Sequence, residues 1–254
     1  MMKIILFVLL VLYLYFSLFH RDGFSQINED NLLMNEKRFD SFYSKVYDEI
    51  YDMIPYHKQE INIIQPYLSK TSNVLCVNSR TGHINQLLSG ITKIQSIESS
   101  KDMVSYSKEK YPNLDINYGH YSNSYLFNAN YFTHIICPLF SIHEDNNIRR
   151  FFNSFHRWLI HKGYLYISYL REIEDIYYFM NEHNVLNNYH YSLDINNYNV
   201  NESIYKNKRL KRKHIWSYNK ILLNNLIYYG GLSGFKFVKN ESLDHFNIAI
   251  FTKN

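Results

Sequence analysis

The chain has 254 residues, 46% hydrophobic and 20% charged, proportions that exclude a disordered or fibrous protein and suit one α/β domain with a substantial core. Its formal net charge is +4, but Lys206, Lys208, Arg209, Lys211, Arg212 and Lys213 fall in one short run, so the remainder is close to neutral and gives no global steering field. The two cysteines, Cys76 and Cys137, each sit in a short apolar stretch outside any CxxC or Cys/His pattern, which predicts neither a disulfide nor a zinc site.

The run IILFVLLVLYLYFSLF, Ile4 to Phe19, carries no charge and is flanked by Lys3 and by His20 and Arg21. Its length is near the lower limit for a spanning helix, and residues 1–21 read as an uncleaved single-pass membrane anchor, with Tyr13, Tyr15, Phe16 and Phe19 suited to an interfacial belt. A cleaved signal peptide, and with it a place in the secretory pathway, is the competing reading, although FSLFHRDGF offers no small-residue cleavage site. Lys3 and Arg21 nearly cancel, so the positive-inside rule leaves orientation open. Residues 22–36 are polar and read as a linker to a folded unit, 37–254.

Phe39, Phe42, Tyr43, Val46, Ile50, Met53 and Ile54 recur at spacings of three and four, predicting a helix that Pro55 ends; a second runs from His57 to Leu68. NVLCV, Asn73 to Val77, is a short unbroken apolar run, the look of a parallel strand covered on both faces. A turn and a helix with Ile84, Leu87 and Leu88 on one face follow, then a strand from Lys93 to Glu98, a helix from Ser100 to Lys110 and a brief strand from Asp115 to Tyr118. Thr133 to Cys137 is another buried strand. A helix from Asp145 to His161 turns Phe151, Phe152, Phe155, Trp158 and Leu159 inward and is closed by Gly163, before a strand from Tyr164 to Tyr169. Residues 170–214 break the rhythm with a helix to His183, an Asn-rich stretch and the basic run, and read as an insertion or lid. A helix from Ser217 to Tyr229 and strands Phe235–Glu241 and Phe246–Thr252 complete the chain. The fold class is therefore α/β: a doubly wound, mostly parallel seven-stranded sheet with a C-terminal antiparallel hairpin.

The informative segment is VLCVNSRTGH, Val74 to His83, at the first strand-to-helix turn, where a helix N-terminus offers free N–H groups to a ligand. Twenty residues after Asn78, Glu98 ends the second strand, where a carboxylate can accept from both hydroxyls of a ribose. From Phe39 to the end, the chain resembles the class I S-adenosylmethionine-dependent methyltransferases, with their D/E-x-G-x-G-x-G loop and ribose-holding acid. In that likeness Asn78 and Arg80 stand where the family has its first two glycines, Thr81 and Gly82 fit the GTG ending, and Cys76 replaces the loop's acid. Glu98 lies in SIESSKDM, similar to D-x-S-x-x-M; Gly119 and His120 fall where many members have Gly-Asp beside adenine; and Cys137 to His143 would face the methyl donor.

The resemblance implies S-adenosyl-L-methionine as cofactor, bound by Asn78, Arg80, Thr81, Gly82, Glu98, His120 and Cys137, and methyl transfer to an unidentified acceptor. No catalytic base is identifiable; His143 and His120 are candidates. Arg80 could point outward or pair with the cofactor carboxylate. The departures from the family loop leave a second reading open, a catalytically inactive protein of this fold serving as a membrane-bound structural or interaction module. The twelve histidines are scattered without HExxH, so no metal site is expected, and no G-x-S-x-G or P-loop motif occurs. The basic run reads either as a solvated loop or as a contact for anionic lipid or nucleic acid.

Overall fold

A computed structural model describes residues 32–34 (backbone only), 38–138, 141–145, 147–180, 189–196 and 198–254. The apolar run 4–19 lies outside these residues, as does most of the expected linker 22–36; its residues Leu32–Met34 are not a linker but a strand of a small sheet. Among the described residues no helix is long and apolar enough to cross a membrane.

Strand β1 (Leu32–Met34) precedes two helices, α1 (Ser41–Ile50) and α2 (Ile54–Ile64). Asp40 caps α1 by accepting from the Tyr43 N–H at 2.9 Å. Pro55 does not end the first helix; it sits in the first turn of the second, where its missing N–H costs nothing. The Rossmann-like half follows as β2 (Asn73–Val77), α3 (His83–Ser89), β3 (Lys93–Glu98), α4 (Lys101–Lys110), β4 (Asp115–Tyr118), β5 (Phe132–Cys137), α5 (Ile148–Trp158) and β6 (Leu159–Leu170). The helix expected to reach His161 stops at Trp158, and Gly163 lies inside β6. A Cβ there would stand 2.9 Å from the carbonyl oxygens of Ile160 and Thr133, so close strand approach, not helix termination, calls for glycine.

The insertion differs most from expectation. Ile173–Phe179 is a 3-10 turn, and the Asn-rich and basic stretches form a meander of β7 (Tyr189–Asn196), β8 (Asn199–Lys206) and β9 (Arg209–Ser217). Asn207 (φ 51°) and Lys208 (φ 62°) make the tight β8–β9 turn. With β1 these strands form a second sheet, in the order β1-β9-β8-β7. Helix α6 (Leu223–Leu232), β10 (Phe235–Ser242) and β11 (Phe246–Lys253) close the chain.

The main sheet has the order β10-β11-β6-β5-β2-β3-β4, and β11 alone runs antiparallel to its neighbours. Alternate residues of each strand feed two cores. Val74 and Cys76 join Tyr43, Ile50, Ile61, Ile84 and Leu88 on one face, which also receives Tyr191, Ile204 and Trp216 from the small sheet. Leu75 and Val77 join Phe152, Phe155, Trp158 and Leu226 on the other. Cys76 and Cys137 are free thiols in opposite cores. Strand order reverses at β2, whose partners are β3 and β5, so the crevice beyond their C-terminal ends is where a ligand of this fold sits.

Candidate functional site

Beyond β2 the backbone enters the left-handed region at alternate residues: Asn78 (φ 57°), Arg80 (φ 50°) and Gly82 (φ 80°). These are the three positions matched to family glycines, so the loop keeps a glycine-type path while two of the glycines are gone. Asn tolerates this conformation readily; Arg does not, and it costs about 1–2 kcal/mol unless the surroundings hold it. They do. The Arg80 N–H donates to Glu98 Oε2 at 2.9 Å, and its carbonyl accepts from Ser107 Oγ at 2.8 Å. Its guanidinium lies over the Phe39 ring at 4.0 Å, with Nη2 2.5 Å from Glu144 Oε2 and Nη1 3.6 Å from Glu98 Oε1. Gly82 is favoured by its φ of 80°, and a Cβ there would also stand 2.8 Å from Ile116 Cδ1, the tip of a side chain that would have to shift.

Glu98 ends β3 fully buried. Besides the Arg80 N–H, its carboxylate accepts from Ser100 N at 3.0 Å and Ser99 Oγ at 3.2 Å. Its carbonyl accepts from Gly119 N at 3.0 Å, which fixes the end of β4 beside the site.

A cavity of about 770 Å³ opens over the ends of β2, β3 and β4. Asn78, Arg80, Ser99, Lys101, Tyr118, His120 and Tyr121, from the ends of the main-sheet strands, line it together with Arg38, Phe39, Glu144 and Trp216. His120 is packed on Tyr121, ring centroids 4.2 Å apart, and its Nδ1 accepts from the Ser122 N–H at 3.1 Å. Burial lowers its pKa below the ordinary histidine value. With Nδ1 accepting, the neutral ring carries its proton on Nε2 and offers the cavity a donor.

Of the matched residues, Asn78, Arg80 and His120 line this cavity; Thr81, Gly82, Glu98 and Cys137 do not. Thr81 turns away and donates to Asp48 Oδ1 at 2.5 Å. Cys137 is fully buried in the second core with Sγ 2.9 Å from Ser141 Oγ, and burial pushes its thiol up to about 12. His143 is likewise structural. Its Nδ1 is 2.8 Å from the Asn219 carbonyl, its Nε2 accepts from the Leu170 N–H at 2.9 Å, and burial lowers its pKa to about 4.

Sequence reasoning missed the lining residues Arg38 and Glu144. Arg38 reaches Glu202 through Nε (3.2 Å) and Nη2 (2.6 Å) and Glu144 through Nη1 (2.9 Å). Glu202, fully buried in β8, also accepts from Tyr43, Tyr51 and Trp216 and lies 3.3 Å from His214 Nδ1. Burial alone would raise the Glu202 carboxyl, but the Arg38 charge and the His214 hydrogen bond outweigh it and hold it well below the usual range. Glu98, Arg80, Glu144, Arg38 and Glu202 thus form one alternating run of charges from the β2 loop to the small sheet. Arg38 precedes any periodic segment and Glu144 follows β5 by one turn, so neither carries a motif. Among the described residues no cluster of His, Cys, Asp or Glu could hold a metal.

The site fits an adenosyl cofactor: a glycine-type loop, a buried acid and a cavity of ligand size meet at the switch point. The exception is the Arg80 guanidinium, which covers the acid.

No family model matches the chain, and no curated protein matches it in sequence. Solved structures do match. An S-adenosylmethionine-dependent methyltransferase from Clostridium acetobutylicum is 14% identical, with 84% of this chain and 96% of that one covered at a TM-score of 0.61. The CcbJ methyltransferase from Streptomyces caelestis is 12% identical, over 87% and 100%, at 0.65. CalS10, an amino pentose methyltransferase from Micromonospora echinaspora solved with S-adenosylmethionine bound, is 10% identical, over 79% and 91%, at 0.58. Fold, strand order and loop path together give the chain the Rossmann-like fold of the class I S-adenosylmethionine-dependent methyltransferases.

Proposed function

We propose that this protein is a methyltransferase that uses S-adenosyl-L-methionine and is held at a membrane by the apolar run 4–19. The observation that carries the activity is the alternating left-handed path of Asn78, Arg80 and Gly82 beside the buried Glu98, at the mouth of the cavity. The structural neighbours named above support the cofactor; the membrane attachment rests on the sequence of that run.

When bound, the cofactor supplies a methyl group on an electrophilic sulfonium, so the protein's own work is positioning and exclusion of water. Asn78, Ser99, Tyr118 and His120 would hold the adenosine half, and the Glu98 carboxylate the ribose if the Arg80 side chain moved off it. Trp216, presented by β9, also lines the cavity and keeps water out. The acceptor is unassigned.

S-adenosylhomocysteine added to the full chain in mild detergent tests this reading by thermal unfolding. Ligand at a hundredfold excess over its dissociation constant adds roughly 2.7 kcal/mol to stability, a rise of several degrees. A melting temperature unmoved at millimolar ligand contradicts it.

A second reading, a non-catalytic scaffold, is favoured by one contact, the seat of Arg80 on Glu98. It predicts that wild type ignores the nucleoside.

A further inference from the structure

The small sheet has two unlike faces. On β9, Arg212 pairs with Asp40, while His214 and Trp216 reach Glu202, so these alternate residues face α1. Lys211 and Lys213 fall between them and face away. Lys211 is exposed, as are Lys208 and Arg209 at the hairpin tip, and Lys206 beside them lies 4.9 Å over the Tyr189 ring. Of this basic run, only Arg212 has a carboxylate partner among the described residues. The cross-strand neighbours of Lys213 are Ser203 and then Ser192, so nothing acidic offsets the charge in that row.

Strand β1 fixes how the chain arrives at this face. It pairs with β9 in parallel, Leu32 opposite Lys213 and Met34 opposite Ile215. A parallel partner enters from the same end, so the chain comes into β1 from the Arg209 end, where the hairpin tip lies. The apolar run ends at Phe19, thirteen residues before Leu32, a span of at most about 45 Å even fully extended. Trp216, at the cavity, is seven residues along β9 from Arg209, about 23 Å from the tip.

We propose that the β8–β9 hairpin tip and the outward face of β9 rest on the anionic headgroups of the bilayer that holds the apolar run. Charge complementarity selects the surface, since a row of unpaired cations beside a hydrophobic segment matches a negatively charged leaflet. The parallel entry of β1 brings the tether to the same end of the sheet as the cations. The cavity wall at Trp216 then lies about a strand's length from the lipid. This inference rests on the proposed membrane attachment by the run 4–19 and is independent of the proposed methyl transfer.

The test is partition of the full chain onto phosphatidylcholine vesicles with and without phosphatidylserine, at low and high salt, for wild type and for the triple variant Lys208→Glu, Arg209→Glu, Lys211→Glu. The apolar run partitions equally into either vesicle, so phosphatidylcholine binding serves as the internal control, and circular dichroism checks that the exposed hairpin changes leave the fold intact. Wild type should favour the phosphatidylserine vesicles at least about tenfold at low salt, and both 0.5 M salt and the variant should erase that preference. Equal partition by wild type, a preference the variant keeps, or tighter salt-sensitive capture by a short single-stranded RNA than by phosphatidylserine overturns the proposal.

Discussion

The Arg80 side chain lies against the carboxylate of Glu98, Nη1 to Oε1 at 3.6 Å, while the Arg80 backbone N–H donates to the same carboxylate at 2.9 Å. The residue standing where the family keeps a glycine thereby occupies the acid that the family gives to ribose. Arg80→Gly removes this competitor and relieves a left-handed non-glycine residue. We expect S-adenosylhomocysteine to bind this variant roughly tenfold more tightly than wild type, since a charged hydrogen-bonding partner no longer has to be displaced. Weaker binding by the glycine variant would mean that Arg80 is a ligand contact and not an obstacle.

The buried Glu202–Arg38 pair joins the small sheet to the segment preceding α1. Glu202→Ala strands a buried guanidinium and should destabilise the protein by about 3–5 kcal/mol, read from the midpoint of urea unfolding. The double change Arg38→Met with Glu202→Leu should recover most of that loss, because apolar side chains leave no uncompensated charge. A double variant as unstable as Glu202→Ala counts against this account.

Gly82→Ala should cost at least 1–2 kcal/mol, roughly, from its φ of 80° and more from the contact with Ile116 Cδ1. Adding Ile116→Val deletes that atom, so it should return the steric part and leave the backbone part. No recovery would show that the two sites are not in contact.

Stability should fall on acidification through the histidine range. Burial lowers His143 to about 4, and burial with the adjacent His83 lowers His57 to about 3. Both titrate near 6.5 in the unfolded chain, roughly, so between pH 6.5 and 4 the unfolded state binds more protons and stability drops as pH falls. His143 contributes up to about 3 kcal/mol of that drop, which levels off below pH 4 for this residue. His143→Gln should flatten the pH dependence of the unfolding free energy; an unchanged slope would sink the assignment.

The main sheet was legible because its strands are short apolar runs or alternate, and its helices are periodic: Asn73–Val77 (NVLCV) and the alternating Lys93–Glu98 (KIQSIE) have bounds that match the structure. The small sheet was not, although Tyr189, Tyr191, Leu193 and Ile195 alternate cleanly. On β8 and β9 the inward positions include Glu202, Arg212 and His214, polar groups that erase a period of two unless their ion-pair partners are known. The site divided the same way. Asn78 and His120, which line the cavity, were legible because loop and strand ends carry a spacing, whereas Arg38 and Glu144 work through contacts across more than 100 residues of sequence. Cys137 was misplaced because a strand's last residues alternate faces, and the sequence alone does not say which faces the cavity; His143 lies in the 3-10 turn Ser141–Glu144 after β5, where the Asn219 carbonyl and the Leu170 N–H take both ring nitrogens.

Calorimetric titration of the full chain with S-adenosylmethionine, beside Glu98→Ala, tests the central claim most directly. The account predicts micromolar binding by wild type, lost at least tenfold, roughly, in the alanine variant at a temperature where circular dichroism shows it folded, since that variant also loses the buried hydrogen bonds of Glu98. A folded wild-type chain that gives no heat of binding, or an alanine variant that binds as well as wild type, contradicts it.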